Sequence, residues 1–236
     1  MNNEKIINHF SSQLERLHPR MMENYENGDL KKGHTIFVLS ESYLKLGICA
    51  HFQGDKSKAS INFLNALETF KQLITEYNAN PSDINIGLIS HVITWPYELA
   101  YLSDDMESIK WLQSNWPLQA EDECTWYRTY QEFLADMFLG NTNINQKRID
   151  NLKKQAFTDV LAQTDLLCSI AIADKKAICE SWLKYKKYND KHIKDEWADG
   201  LPSVLSIDGT ALFELTKEHL DVAYWPSEEN YRFHKS

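Results

Sequence analysis

The sequence predicts an all-α chain of antiparallel helical hairpins, packed as a tetratricopeptide-like but irregular solenoid or bundle. Three observations carry this. Apolar residues recur every three or four positions along most of the 236 residues, the period of amphipathic helices. Glycine numbers 8 and proline 6, too few for the many turns of a β-sandwich or barrel. A short turn, a small residue followed by Asp or Asn, recurs near positions 54, 104, 140 and 174.

The elements follow in chain order. Ile6, Ile7, Phe10, Leu14 and Leu17 share a stripe and predict a helix over 4–17. Pro19 is expected to end it, and 20–33, with Gly28 and Gly33, reads as a loop. A helix is expected over 35–52. Gly54-Asp55 then breaks the chain, the glycine suiting a left-handed helix end and the aspartate capping the next helix, 56–77. Two long helices joined so tightly must lie antiparallel. Further helices are expected over 82–102, 105–114, 120–139, 145–162 and 165–187, with Ser82 as a cap. Pro96 interrupts the first of these and predicts a kink or break near Trp95. A short helix ending at a turn at Asp199-Gly200, a buried helix over 203–219 and an aromatic tail complete the chain. No low-complexity segment or long linker divides it, so one domain, 1–236, is expected. The spacing of the four turns, about 50, 36 and 34 residues, matches helical-hairpin repeats only loosely.

Composition narrows the function classes. The chain carries 34 acidic and 25 basic residues, a net charge of −9. That balance disfavours nucleic acid or an anionic membrane as partner. No apolar run reaches the length of a membrane span, and the N-terminus lacks the features of a secretory signal, so a cytoplasmic protein is expected. Cys49, Cys124, Cys168 and Cys179 sit in apolar runs with no C-x-x-C, which reads as core thiols in a reducing compartment. The eight histidines form no H-E-x-x-H pair. His192 with Asp195 and Glu196 comes nearest and reads as a solvated face. There is no phosphate-cradling glycine loop and no G-x-S-x-G elbow. No catalytic residue, metal ligand or cofactor is therefore assigned, and the chain is not expected to be an enzyme.

Charge is distributed unevenly. Residues 98–136 hold nine acidic and two basic residues, residues 147–194 eleven basic and six acidic, and residues 195–236 nine acidic and three basic. Asp104, Asp105, Glu107, Glu121, Asp122 and Glu123 flank the helix expected over 105–114. Carboxylates at helix N-termini are favoured by the helix dipole. The same residues could instead form an acidic surface that captures a basic protein. Trp111, Trp116, Trp126, Tyr127 and Tyr130 crowd this stretch, either as core or as exposed anchors. Asp104, Asp105, Glu107, Trp111, Glu121, Asp122 and Glu123 are the candidate partner-binding residues. The competing site is the acidic C-terminal tail with Glu228 and Glu229. The basic run 184–194 reads as a solvated helix end.

The early hairpin "LGICAHFQGDKSKASINFLNALETF", the helix end "WLKYKKY", the segment "DGLPSVLSIDGTALFEL" and the tail "YWPSE" together resemble the immunity 49 family of bacterial polymorphic-toxin systems. The resemblance covers about residues 40–226 and rests on Gly54-Asp55, Lys184-Tyr185, Asp199-Gly200-Leu201, Asp208-Gly209 and Trp225-Pro226. It implies a mostly helical, non-enzymatic antitoxin that binds and blocks one toxin delivered between competing bacteria. An acidic inhibitor suits a basic toxin such as a nuclease, whose active surface must hold phosphate. The alternatives are a tetratricopeptide-like adaptor with another protein partner, and a helical hydrolase with a site assembled from distant residues.

Overall fold

In the computed structural model, residues 3–28, 32–89, 94–117, 125–141, 144–196 and 206–217 are described. Among them the chain forms ten α-helices and two short 3-10 turns, with no strand. The helices are α1 Asn3–Asn27, α2 Lys32–Phe52, α3 Lys56–Ala79, α4 Trp95–Leu102, α5 Met106–Asn115, α6 Thr125–Phe138, α7 Gln146–Gln155, α8 Leu161–Ala171, α9 Lys175–Glu196 and α10 Ile207–Thr216.

Helices pair as α2–α3, α4–α5, α6–α7 and α8–α9, and each pair packs on the next through α3–α4, α5–α6 and α7–α8. A second set of contacts skips one helix: α3–α5 along one layer, α4–α6–α8 along the other. This two-layer order is that of an irregular helical-hairpin solenoid. α1 covers α2, and α10 lies across α4 and α8. One apolar core runs through the molecule, its largest fully buried side chains including Trp126, Trp182, Tyr130, Phe63, Phe70 and Phe133.

The recurring turn has one physical form. Gly54, Asp104, Gly140 and Ala173 all adopt positive φ, at 81°, 57°, 69° and 53°. In the first three the next residue's N–H reaches back to the helix: Asp55 to Ala50 O at 3.0 Å, Asp105 to Ala100 O at 2.8 Å and Asn141 to Asp136 O at 2.9 Å. These bonds satisfy carbonyls that the helix end leaves open. The aspartate then starts a new helix. Asp55 Oδ1 accepts from Lys58 N–H at 2.9 Å, Asp105 Oδ1 from Ser108 N–H at 3.0 Å and Asp174 Oδ1 from Ala177 N–H at 3.1 Å. Glycine carries the left-handed residue at no steric cost; Asp104 and Ala173 hold it against the Cβ penalty.

Several boundaries differ from the expectation. α1 does not end at Pro19 but continues to Asn27 with the proline inside it. An internal proline costs about 3 kcal/mol, and tertiary contacts of the second half offset it. His18 Nδ1 and Ser42 Oγ share a hydrogen bond of 2.9 Å, the His18 ring packs edge-on against Tyr43, and Gln72 Nε2 donates to the Tyr25 hydroxyl. The helix ends at Gly28 instead, whose N–H bonds Tyr25 O at 3.3 Å. The helix expected over 82–102 is a 3-10 turn, Ile86–Ile89, and then α4, which begins at Trp95 with Pro96 in its first turn, where a missing N–H costs nothing. Ser82 caps no helix; its hydroxyl donates to Asp83 Oδ1 at 3.2 Å. The stretch 145–162 is divided after Gln155, and 165–187 is divided at the Ala173 turn into α8 and α9. The turn at Asp199-Gly200 and the aromatic tail lie outside the described residues.

Candidate functional site

Four of the candidate binding residues fall on one face. α3 and α5 run side by side, tied by Lys71 Nζ donating to Ser108 Oγ at 3.2 Å and Asn78 Nδ2 donating to Asn115 O at 2.8 Å. Between them lies an open groove of about 490 Å³ lined by Glu68, Lys71, Asp105, Glu107, Lys110 and Trp111, among others. Trp111 is partly buried, with the Lys71 ammonium 5.4 Å from its ring centre, a cation–π distance. Glu107 is 84% exposed by side chain and pairs with Lys110 at 2.6 Å. Glu68 pairs with Lys71 at 2.8 Å. Asp105 Oδ2 accepts the Ser108 hydroxyl at 2.6 Å in addition to its cap bond. Asp104 is the left-handed residue of the turn beside the groove, exposed. Just N-terminal on the same α3 face, Ile61 and Leu64 are exposed at 56% and 42%. Glu121, Asp122 and Glu123 lie outside the described residues, as do Glu228 and Glu229.

The acidic count of segment 98–136 overstates the field at its surface. Glu98 is buried at 1% exposure. Asp105 is a cap. Asp136 receives Arg148 at 2.7 Å, Asn141 and Gln113. Its burial pushes the carboxyl up, but those hydrogen bonds prevail and hold it below the usual aspartate value. Arg128 and Glu132 pair at 3.0 Å. Among the crowded aromatics, Trp126 and Tyr130 are core residues stacked on each other at 4.8 Å. Trp116 stacks on Tyr97 at 5.4 Å. Trp111 and Tyr127 stay partly exposed.

A second constellation escaped the sequence reading. Glu98 from α4, Tyr130 from α6, Gln163 from α8, Tyr185 from α9 and Asp208 from α10 converge where five helices meet. Asp208 sits in the first turn of α10, behind its cap Ser206, whose Oγ accepts from Gly209 N–H at 3.0 Å. Gln163 Nε2 donates to Asp208 Oδ1 at 3.1 Å, and the Tyr185 hydroxyl donates to Oδ2. Glu98 is buried at 1% exposure and feels the charge of Asp208. Burial is the main force pushing Glu98 well above its usual value, and the Asp208 charge adds to it. Burial also raises Asp208, while the bonds from Tyr185 and Gln163 pull the other way. Glu98 Oε1 and the Tyr130 hydroxyl are buried without a satisfactory hydrogen-bond partner among the described residues. Lys184-Tyr185 and Asp208-Gly209 gave a sequence signal only as separate motifs; nothing in the sequence shows that they meet.

Burial pushes the Cys49 and Cys168 thiols up to about 11, which makes them inert at neutral pH; Cys179 is a free, partly buried thiol, and Cys124 lies outside the described residues. Among the described residues no three His, Cys, Asp or Glu side chains gather as a metal site requires, and no helix is long and apolar enough to cross a membrane. The side chain of His192 lies outside the described residues. No family model, curated protein or solved structure matches this chain.

Proposed function

We propose that the chain is a cytoplasmic immunity protein, which binds one cognate bacterial toxin and neutralises it by stoichiometric complex formation. The observation that carries this reading is the open α3–α5 groove. It sets Trp111, an anchor of the type that dominates interface energetics, among Glu68, Asp105 and Glu107. The exposed Ile61 and Leu64 extend the same face. The Glu107–Lys110 and Glu68–Lys71 pairs are surface i,i+3 pairs, each worth about 0–1 kcal/mol. A basic partner such as a nuclease exchanges them for its own cations at little cost, and apolar contact with Trp111 supplies the affinity. The pattern resemblance to the immunity 49 family supports the same function.

An adaptor that seats a peptide against the α4–α6–α8 layer is less favoured, because α10 already covers α4 and α8. A hydrolase at Glu98 and Asp208 is less favoured too, because Glu98 is buried and the Asp208 carboxyl is engaged by Tyr185 and Gln163.

The test is co-expression with a candidate toxin domain, followed by calorimetry of the purified pair. One-to-one binding, with growth protection that saturates at equimolar amounts, is the expected result. Glu107→Lys should slow association most at low salt, while changing chain stability by less than about 0.5 kcal/mol. Protection by substoichiometric amounts, or unchanged binding by Glu107→Lys and Trp111→Ala together, overturns the reading.

A further inference from the structure

We propose that the first half of α3 seats a basic amphipathic helix of the partner. That helix lays apolar side chains on Ile61 and Leu64 and a lysine or arginine on the carboxylates at the start of α5. The inference rests on the reading of the α3–α5 face as the binding surface, and it names the chemistry of what binds there.

The register of the two helices sets the shape. Lys71 reaches Ser108 and Asn78 reaches Asn115, each 37 residues farther along the chain. At that offset Met106, the first residue of α5, stands level with Thr69. The stretch of α3 from Lys56 to Glu68 therefore extends past the start of α5, by about 20 Å at the rise of an α-helix. Ser57, Ile61, Leu64 and Glu68 form one stripe along it. All four are exposed, the two apolar ones at 56% and 42%. The result is a step: its wall is the Ile61–Leu64 stripe, and its foot is the Asp104-Asp105 turn that starts α5.

Charge complementarity selects the occupant. The foot carries Glu68, Asp104, Asp105 and Glu107 against Lys71 and Lys110, four carboxylates to two ammonium groups. The Lys71 ammonium is held by Glu68 and Ser108 over the Trp111 ring. A carboxylate accepts from more than one donor, so a cation from the partner joins these surface pairs or replaces them at little cost. The other end of the wall carries Lys56 and Lys58, both exposed, so the favoured occupant is basic at the foot and not at the top. A helix suits the wall because α5 covers the second half of α3 along the same line. An amphipathic helix also presents apolar residues at i and i+3 or i+4 to a stripe of matching spacing. The competing occupant is α9 of a second copy, where Leu183 is exposed beside Lys184 and Lys187. It is disfavoured because each chain carries a net charge of −9, which repels another copy.

Fluorescence anisotropy with the full chain tests this. The probe is a labelled synthetic helix of about four turns, leucines on one face and lysines flanking them. The expected result is binding that weakens as salt rises, and no binding by the same peptide with glutamate in place of lysine. Ile61→Gln with Leu64→Gln, both at exposed positions, should weaken binding by about tenfold or more. Glu68→Gln with Glu107→Gln should reduce its salt dependence. Leu183→Gln, at an exposed leucine far from the step, should leave it unchanged, and circular dichroism checks that every variant keeps its helices. Equal binding of the two peptides, unchanged binding by the Ile61–Leu64 variant, or an equal loss in Leu183→Gln overturns the proposal. So does a chain that sediments as a larger assembly which the Ile61–Leu64 variant disperses, since a second copy then fills the step. The peptide assay does not depend on growth protection: a chain that binds the peptide as expected but protects against no toxin removes the immunity reading alone. A toxin bound equally well by the wild type and the Ile61–Leu64 variant, but lost with Glu107→Lys and Trp111→Ala, overturns the step alone.

Discussion

The α2–α3 hairpin and the α4–α10 junction both bury a helix–helix contact, and they do it by opposite means. In the hairpin the partners are sequence neighbours and the contact is apolar. Gly47 lets α2 approach until a Cβ there would stand 2.7 Å from the Phe63 ring. Phe63 fills the seam there, and Leu67, Phe70 and Ile74 continue the buried side of α3, Phe70 against Trp95 and Trp116. In the junction the partners are remote in sequence, and among their apolar residues α4 buries Glu98 while Asp208 at the start of α10 accepts from Tyr185 and Gln163. A dry apolar contact is indifferent to pH. A buried acid raised above its usual value holds a proton and ties stability to it.

The largest expected effect tests the apolar side. Phe63→Ala should cost about 3–5 kcal/mol, read from urea denaturation, and the loss should be equal at acidic and neutral pH. A loss that varies with pH would break the contrast. On the junction side, both carboxyls are raised in the folded state, so their contribution is fully present below the unfolded values near pH 4 and declines as pH rises. The slope is at most about 1.4 kcal/mol per pH unit for one proton. Glu98→Gln should therefore be more stable than the wild type above neutrality, the two converging in acid. Gly47→Ala should cost about 1–3 kcal/mol by overpacking against Phe63, with no change in pH dependence. The smallest effect expected, about 0.5–2 kcal/mol, is that of Asp105→Ala. It should appear as lost stability of the free chain. If it instead weakened partner binding alone, Asp105 would belong to the contact surface rather than to the helix cap.

The same contrast qualifies charge as a guide to binding. Along the sequence, 98–136 is the most acidic stretch, yet Glu98, Asp105 and Asp136 spend their carboxylates on the junction, a cap and Arg148. Glu107 alone of the described candidate carboxylates is largely exposed on a helix face, and even it has Lys110 beside it. Steering strength depends on the charge left over after such pairing, so the groove's mixed lining, with Trp111 at its side, says more about a partner than the net count.

Local rules made the helices and their turns legible. The 3.6-residue period needs no partner to be read, and a small residue before Asp marks a helix end and the next cap because both roles are satisfied within a few residues. Gly54-Asp55 and Asp174 obey that rule. The sequence also placed Asp105, Glu107 and Trp111 near one another, since they fall within two turns of one helix start. Tertiary structure decided the rest. Pro19 stays helical because α1 has His18 and Tyr25 anchored to its neighbours, an energy the local pattern does not contain. Glu98 entered the sequence reading as one of nine acidic residues in 98–136, and Asp208 as part of a short motif. Only the packing of α4 against its neighbours removes the water from Glu98, and burial, rather than residue type, is what pushes a carboxyl above its usual value.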